Sequence, residues 1–277
     1  MTKAPLLQVK ELHTHFQTSG GFFAESTWLK AVNGVSFDIH EGEVLSLVGE
    51  SGCGKSTVGR TLTHLETATS GQAIFNGQDI LAMSAKEFRP LRRDIQMIFQ
   101  DPYSSLNPRM LVKDIIKESL DINSSLNESE KMEKVHWLLD KVGLSAEQSN
   151  RYPHEFSGGQ RQRIGIARAL ATEPEIIIAD EPVSALDVSI QAQIINLMMD
   201  LQQEFDLSII FIAHDLSVVK HISDRVGVMN IGELVEINHT DDIFKDPKHS
   251  YTKELLRAIP EPDPVGREDR KKKRLEI

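Results

Sequence analysis

Val44-Leu45-Ser46-Leu47-Val48 runs directly into Gly49-Glu50-Ser51-Gly52-Cys53-Gly54-Lys55-Ser56-Thr57, and this stretch decides the fold. Its first part is a short, nearly continuous apolar run, the pattern of a strand buried on both faces. The second part fits G-x-x-x-x-G-K-[ST]. Beyond it Val58, Leu62 and Leu65 recur at three- and four-residue steps, as on one face of a helix. Strand, glycine-rich turn and helix in that order form a phosphate cradle. The glycines let backbone N–H groups curl around phosphate oxygens, and the helix N-terminus adds its positive end. Lys55 then reaches the β- and γ-phosphates, and the Ser56 hydroxyl is placed to bind magnesium. Gly49 to Thr57 are thus the candidate phosphate-binding residues, with Cys53 contributing backbone rather than thiol chemistry.

Two similar apolar runs, Ile176 to Ala179 and Ile209 to Ala213, lie further along the chain. The second precedes the candidate His214, and the first is followed by Ile190, Ile194, Leu197 and Leu201 at helical spacing. Alternation of buried strands with helices predicts an α/β fold with a parallel sheet. Around it, Val35 to Ile39 and Gln72 to Phe75, the latter ending at Asn76-Gly77, predict an antiparallel β subdomain. Residues from about 102 to 165 read as an inserted helical subdomain. There Met132, Val135, Leu138, Leu139 and Val142 share one face, Ser125 to Glu128 could form a capping box, and Gly143 is a stop. Ile231-Gly232 is placed to turn a hairpin between Val226–Asn230 and Glu233–Ile237. Residues 1–245 are expected to form one domain, followed by a 246–277 extension whose basic run Arg270 to Arg274 reads as a solvated tail.

Two further features lie at expected strand ends. Ile176-Ile177-Ile178-Ala179 closes in Asp180-Glu181, two carboxylates at the edge of the sheet where ligands bind in open α/β folds. Asp180 is the candidate magnesium ligand and Glu181 the candidate base for an attacking water. Gln100, after the apolar Ile95 to Phe99, offers an acceptor for magnesium and a donor for water. Elsewhere Phe156-Ser157-Gly158-Gly159-Gln160 opens a helix, making a second anion-binding surface.

The chain has 277 residues, 40% of them hydrophobic and 26% charged, an ordinary globular composition. With 31 Lys and Arg against 41 Asp and Glu, the net charge of −10 disfavours general nucleic-acid binding, which needs a basic face. A single cysteine excludes an internal disulfide and a four-cysteine metal site, which fits a reducing, cytosolic setting. There is no apolar run of about 18 residues, and the start MTKAPLLQVKEL is too interrupted by charge for a secretory signal.

Taken in order, these motifs resemble those of ATP-binding cassette ATPases: phosphate loop at Gly49 to Ser56, Q-loop at Gln100, signature at Phe156 to Gln160, acids at Asp180 and Glu181, D-loop at Ser184 to Asp187, and switch His214. The resemblance implies a P-loop NTPase (RecA-like) core with an antiparallel β subdomain and an inserted helical subdomain. It further implies ATP and Mg2+ as ligands, and two nucleotide-binding subunits packed head to tail, so that Ser157, Gly158, Gly159 and Gln160 serve ATP held mainly by the partner. More narrowly, Phe99-Gln100-Asp101-Pro102, Ser104 to Arg109, His249 to Lys253 and Ile259 to Pro262 resemble the F-type ATPase subunits of bacterial oligopeptide and dipeptide importers. Two positions depart from that pattern: Ser250 stands where relatives carry proline, and Phe156 where leucine is more common.

The implied partners are a second, D-type ATPase, two transmembrane permease subunits and, indirectly, an external substrate-binding protein, with this chain peripheral on the cytoplasmic face of the membrane. D-type companions carry a C-terminal cysteine cluster that this one-cysteine chain lacks. Peptide is the expected cargo, with nickel or another small solute as the alternative; soluble, non-transport ABC ATPases are the reading from another class. An aromatic ring stacks on adenine in this family: Phe16 is the candidate, with Phe22, Phe23 and Trp28 as substitutes.

Overall fold

The computed structural model describes residues 4–18 and 27–258. Phe22 and Phe23, the Ile259 to Pro262 segment and the basic run Arg270 to Arg274 lie outside the described residues. In chain order the strands and helices begin β1 (Leu7–Thr18), β2 (Thr27–Ile39), β3 (Val44–Val48), α1 (Lys55–Leu62), β4 (Ser70–Phe75), β5 (Gln78–Asp79), α2 (Ala85–Phe88) and β6 (Ile95–Ile98). Next come α3 (Val112–Asn123), α4 (Glu128–Lys141), α5 (Gly158–Leu170), β7 (Ile176–Asp180), α6 (Val188–Phe205), β8 (Ser208–Ala213) and α7 (Leu216–Ile222). The chain then continues through β9 (Arg225–Asn230), β10 (Glu233–His239), α8 (Thr240–Lys245) and α9 (Ser250–Ala258).

The described strands form two sheets, one in the order β2-β1-β4-β5 and the other β10-β9-β3-β8-β7-β6. The first is antiparallel. In the second every pairing from β9 to β6 is parallel, and β10 alone runs antiparallel, joined to β9 by the Ile231-Gly232 turn. The continuous apolar runs have a direct structural cause. Val44, Val48, Ile177, Ala179, Ile209 and Phe211 face one core, which includes α5, α6 and the helical insertion. Leu45, Leu47, Ile176, Ile178, Ile210 and Ile212 face the other, which includes α1 and the antiparallel sheet. Because strand side chains alternate, a strand buried on both faces is apolar at nearly every position, and the one polar residue of β3, Ser46, shares a hydrogen bond with Ser223. Each such Leu or Ile contributes about 1.5–3 kcal/mol by leaving water.

Two local expectations are corrected. The first helix ends at Leu62, and Leu65 is 52% exposed. Thr63 closes the helix by donating its hydroxyl to the carbonyls of Gly59 and Arg60, both at 3.1 Å, and His64 then turns through φ +57°. The capping box of α4 is formed by Asn127 and Glu130 rather than by Ser125 and Glu128. Glu128 instead accepts from Lys117 Nζ at 2.9 Å.

Helices α3 and α4 bury Val112, Ile115, Ile116, Val135, Leu138 and Leu139 against Ile164 and Ala167 of α5. Phe156 is buried in the same cluster, so its side chain is a core anchor beside the signature. The loop after Gln100 is tied to α5 twice. Arg168 donates to the Ser105 carbonyl at 2.6 Å, and the Arg161 guanidinium lies 3.8 Å from the centre of the Tyr103 ring. Among the described residues no helix is long and apolar enough to cross a membrane.

Candidate nucleotide site

Parallel strands bring their carboxyl ends to one edge, and the sequence candidates follow those ends directly: Gly49 after β3, Glu181 after β7, His214 after β8 and Gln100 after β6. The phosphate loop spans the turn from β3 to α1. Helix α1 starts without a side-chain cap and without an acidic residue in its first turn, so its leading N–H groups and positive end are available to an anion. Gly54 takes φ +105°, and a Cβ there would fall 2.1 Å from the Ala31 carbonyl oxygen on β2. Lys55 is only 3% exposed, and its Nζ donates to the carbonyls of Gly49 at 2.7 Å and Glu50 at 2.9 Å. The β9–β10 turn braces the same loop, Gly232 N donating to Cys53 O at 2.9 Å.

Ser56 Oγ donates to Asp180 Oδ1 at 2.6 Å, so two of the three candidate magnesium ligands are already side by side, while the third, Gln100, is bonded to Glu181. Asp180 is 1% exposed. Burial raises its carboxyl above the ordinary 3.8, opposed by the Ser56 hydrogen bond and the Arg60 and Lys55 charges and assisted by Glu181. A buried hard carboxylate beside a hydroxyl and a phosphate cradle is a donor set suited to Mg2+. The raised pKa also has a stability consequence. The folded state holds this proton more tightly than the unfolded chain, so stability falls as pH rises from the ordinary value through the folded one, and the penalty is complete above it. Asp180→Asn keeps an acceptor for Ser56 and removes that penalty. It is expected to raise the melting temperature of the ligand-free protein at pH 7, with the gain shrinking as pH falls toward the carboxylate range, which thermal melts across pH check.

Glu181 sits in a turn at φ +44°, a conformation that costs a non-glycine residue energy and is found where surrounding contacts enforce it. Here Glu181 N donates to Ile212 O at 3.0 Å. The turn directs the carboxylate between two partners: Gln100 Nε2 donates to Oε2 at 2.9 Å, and His214 Nδ1 lies 3.4 Å from the same oxygen. Glu181 is 12% exposed and His214 55%, an arrangement in which the base is sheltered and the histidine faces outward. A cleft lined by Glu181, Ser184, Gln191, His214 and Asp215 lies over Phe211 and Val218.

The Ser157–Gln160 loop lies elsewhere. Ser157 caps α5 and exchanges hydrogen bonds with Gln160, which places Gly158 and Gly159 inside the first helical turn rather than ahead of it. A Cβ on Gly159 would fall 2.5 Å from Ile190 Cγ2, so the signature must be small to pack on α6. Among the described residues no hydrogen bond or ion pair joins this loop to Gly49–Thr57. Phe16 is on β1 opposite Leu29, two positions from Ala31, whose carbonyl abuts Gly54; Trp28 is 61% exposed.

One contact at the loop escapes sequence reasoning. The Tyr251 hydroxyl on α9 accepts from Glu50 N at 3.2 Å across 201 residues, which no local pattern signals.

A phosphate cradle, a buried magnesium-type carboxylate and a sheltered glutamate on one edge of a parallel sheet define a P-loop nucleoside triphosphatase. Residues 32–184 match the family described as ABC transporter, and residues 235–276 the oligopeptide/dipeptide transporter C-terminal region. The chain is 59% identical over 261 residues to the oligopeptide transport ATP-binding protein OppF of Bacillus subtilis, covering 94% of this chain and 84% of that protein. It is 52% identical to the dipeptide transport ATP-binding protein DppF of Escherichia coli, covering 96% and 80%. Among solved structures, a dimeric ATP-binding cassette in a post-hydrolysis state bound to ADP and Pi aligns with TM-score 0.75 at 27% identity, over 84% of this chain and 98% of that one. CbiO1 from Clostridium perfringens, part of the ABC transporter complex cbiONQ, aligns with TM-score 0.76 at 28% identity, over 99% and 100%. The chain belongs to the ABC transporter family, as one of its ATPase subunits.

Proposed function

We propose that this ATPase powers import of oligopeptides or dipeptides through a bacterial membrane transporter. The observation that carries the chemical part is the meeting of Gln100, Glu181 and His214 beside the Ser56–Asp180 pair. The cargo is supported by the relatives' roles and by the matching C-terminal region. Gly49 to Thr57 hold the phosphates of ATP, and Ser56, Asp180 and Gln100 hold Mg2+. When bound, Mg2+ neutralises charge on the phosphates. Glu181 polarises the attacking water, while Gln100 and His214 fix its carboxylate and His214 steadies the γ-phosphate. Phe16 stacks on adenine.

Ser157, Gly158, Gly159 and Gln160 complete the site of a second, D-type ATPase subunit packed head to tail, a role supported by their separation from this chain's own phosphate loop. The dimer acts on two permease subunits at the cytoplasmic face of the membrane, supplied by an external binding protein. Gln100 senses the γ-phosphate and, through the loop tied to α5 by Arg161 and Arg168, transmits closure to the helical insertion at about 102–165. Residues 1–245 form the nucleotide-binding domain and 246–277 its extension. Co-purification with the permeases and binding protein, followed by mass analysis of the bound ligand, tests the cargo. Peptide is expected; a nickel complex in its place overturns the assignment.

A further inference from the structure

We propose that Tyr251 is a positioning residue of the ATP site, through which the C-terminal region holds the phosphate loop. The proposal rests on the reading of Gly49 to Thr57 as that loop. The Gly49–Glu50 peptide is gripped from both sides: its N–H, on Glu50, donates to the Tyr251 hydroxyl at 3.2 Å, and its carbonyl, on Gly49, accepts from Lys55 Nζ at 2.7 Å. Tyr251 therefore fixes the peptide that orients the loop's own lysine. A tether works only if its far end is anchored, and this one is. Glu236 on β10 accepts from Lys248 N at 2.8 Å and from His249 N at 2.9 Å, gripping the two amides that lead into α9. Tyr251 N then donates to His249 Nδ1 at 3.2 Å, and the Tyr251 ring packs on the larger core. Thr252, the next residue, is 1% exposed and seats the helix.

The first helical position is Ser250, where the proline of related chains is also accommodated, because that residue's N–H has no partner within the helix. The departure from the family pattern thus leaves the tether intact. A backbone amide tied to a buried-edge phenol is pre-ordered, so ATP meets a loop whose ordering cost is already met. Tyr251 touches neither Glu181 nor His214, and its effect falls on ATP binding rather than on hydrolysis.

The test is Tyr251→Phe, which keeps the ring and removes the acceptor. In the assembled transporter the KM for ATP is expected to rise about two- to fivefold, the size of one modest hydrogen bond, with kcat unchanged and thermal melting lowered by no more than about 2–4 °C. Titration of the full chain with a fluorescent ATP analogue is expected to weaken equally, and hydrogen exchange at Glu50 to accelerate. Glu236→Gln, which loosens the anchor, is expected to raise KM in the same direction, and the double variant to show less than the product of the two. Unchanged KM and exchange, multiplicative effects, or a fall in kcat at constant KM would overturn the proposal. Lys55→Ala separates the two layers. If it leaves ATP binding intact, the loop reading itself fails; if it abolishes binding while Tyr251→Phe is silent, only the tether fails.

Discussion

Glu181→Gln is expected to bind ATP with near wild-type affinity and to hydrolyse it at least about a hundredfold more slowly, the scale of a lost general base. The geometry makes this a selective lesion. Glu181 Oε2 accepts from Gln100 at 2.9 Å and faces His214 at 3.4 Å, and a glutamine oxygen in the same place still accepts. The strained turn at φ +44° is unaffected, because the backbone requirement is the same for both residues. What disappears is the group that takes a proton from water. ATP contacts assigned to Lys55, Ser56 and the loop amides remain, so the proposed dimer with a second ATPase subunit should close and stay closed. Single-turnover phosphate release from complexes altered in both ATPase subunits is the check, and sustained release would remove Glu181 from this role.

Gly54→Ala is expected to weaken ATP binding by more than about a hundredfold and to lower the melting temperature as well. Two costs coincide at this one residue. At φ +105° the backbone occupies a region that an L side chain pays roughly 1–3 kcal/mol to enter. The new methyl would lie 2.1 Å from the Ala31 carbonyl, a backbone atom of β2 that cannot swing aside as a side chain can. The loop must therefore move, and amides meant to converge on phosphate lose their aim. Two misplaced charge-assisted bonds, at roughly 1.5–3 kcal/mol each, account for the affinity loss. Calorimetric titration with MgATP alongside thermal melts measures both effects; near wild-type affinity would show that the cradle is not where nucleotide binds.

The parallel core was legible because burial on both faces favours apolar residues at successive positions, a pattern that Ile176 to Ala179 and Ile209 to Ala213 keep throughout and Val44 to Val48 breaks only at Ser46, whose buried hydroxyl is hydrogen-bonded to Ser223. The phosphate loop was legible for a similar reason: its glycines answer a backbone demand that few other residues meet. Gly54 also shows the limit, since its second reason, the Ala31 carbonyl, comes from a strand more than twenty residues away. Helix ends leave a weaker trace in the sequence. Leu65 continued the helical spacing, but Thr63 and His64 end the helix before it. Helix α4 starts at Glu128, which puts Glu130 rather than Glu128 at the third helical position, so the box forms between Asn127 and Glu130. Pairings across the fold, such as Gln100 with Glu181 or Tyr251 with Glu50, leave no periodic trace, and only the first was within reach through motif order.

Hydrolysis at the proposed Ser56, Asp180 and Glu181 site should drive peptide into the cell, and uptake measures that coupling most directly. Vesicles carrying the permeases and both ATPase subunits, supplied with binding protein and a labelled peptide mixture, should accumulate peptide only when ATP is on the cytoplasmic side. Vesicles with Glu181→Gln and its counterpart altered should accumulate none while still binding ATP. Peptide uptake that continues in the doubly altered complex, or ATP-driven uptake of a metal complex with no peptide, would contradict the account.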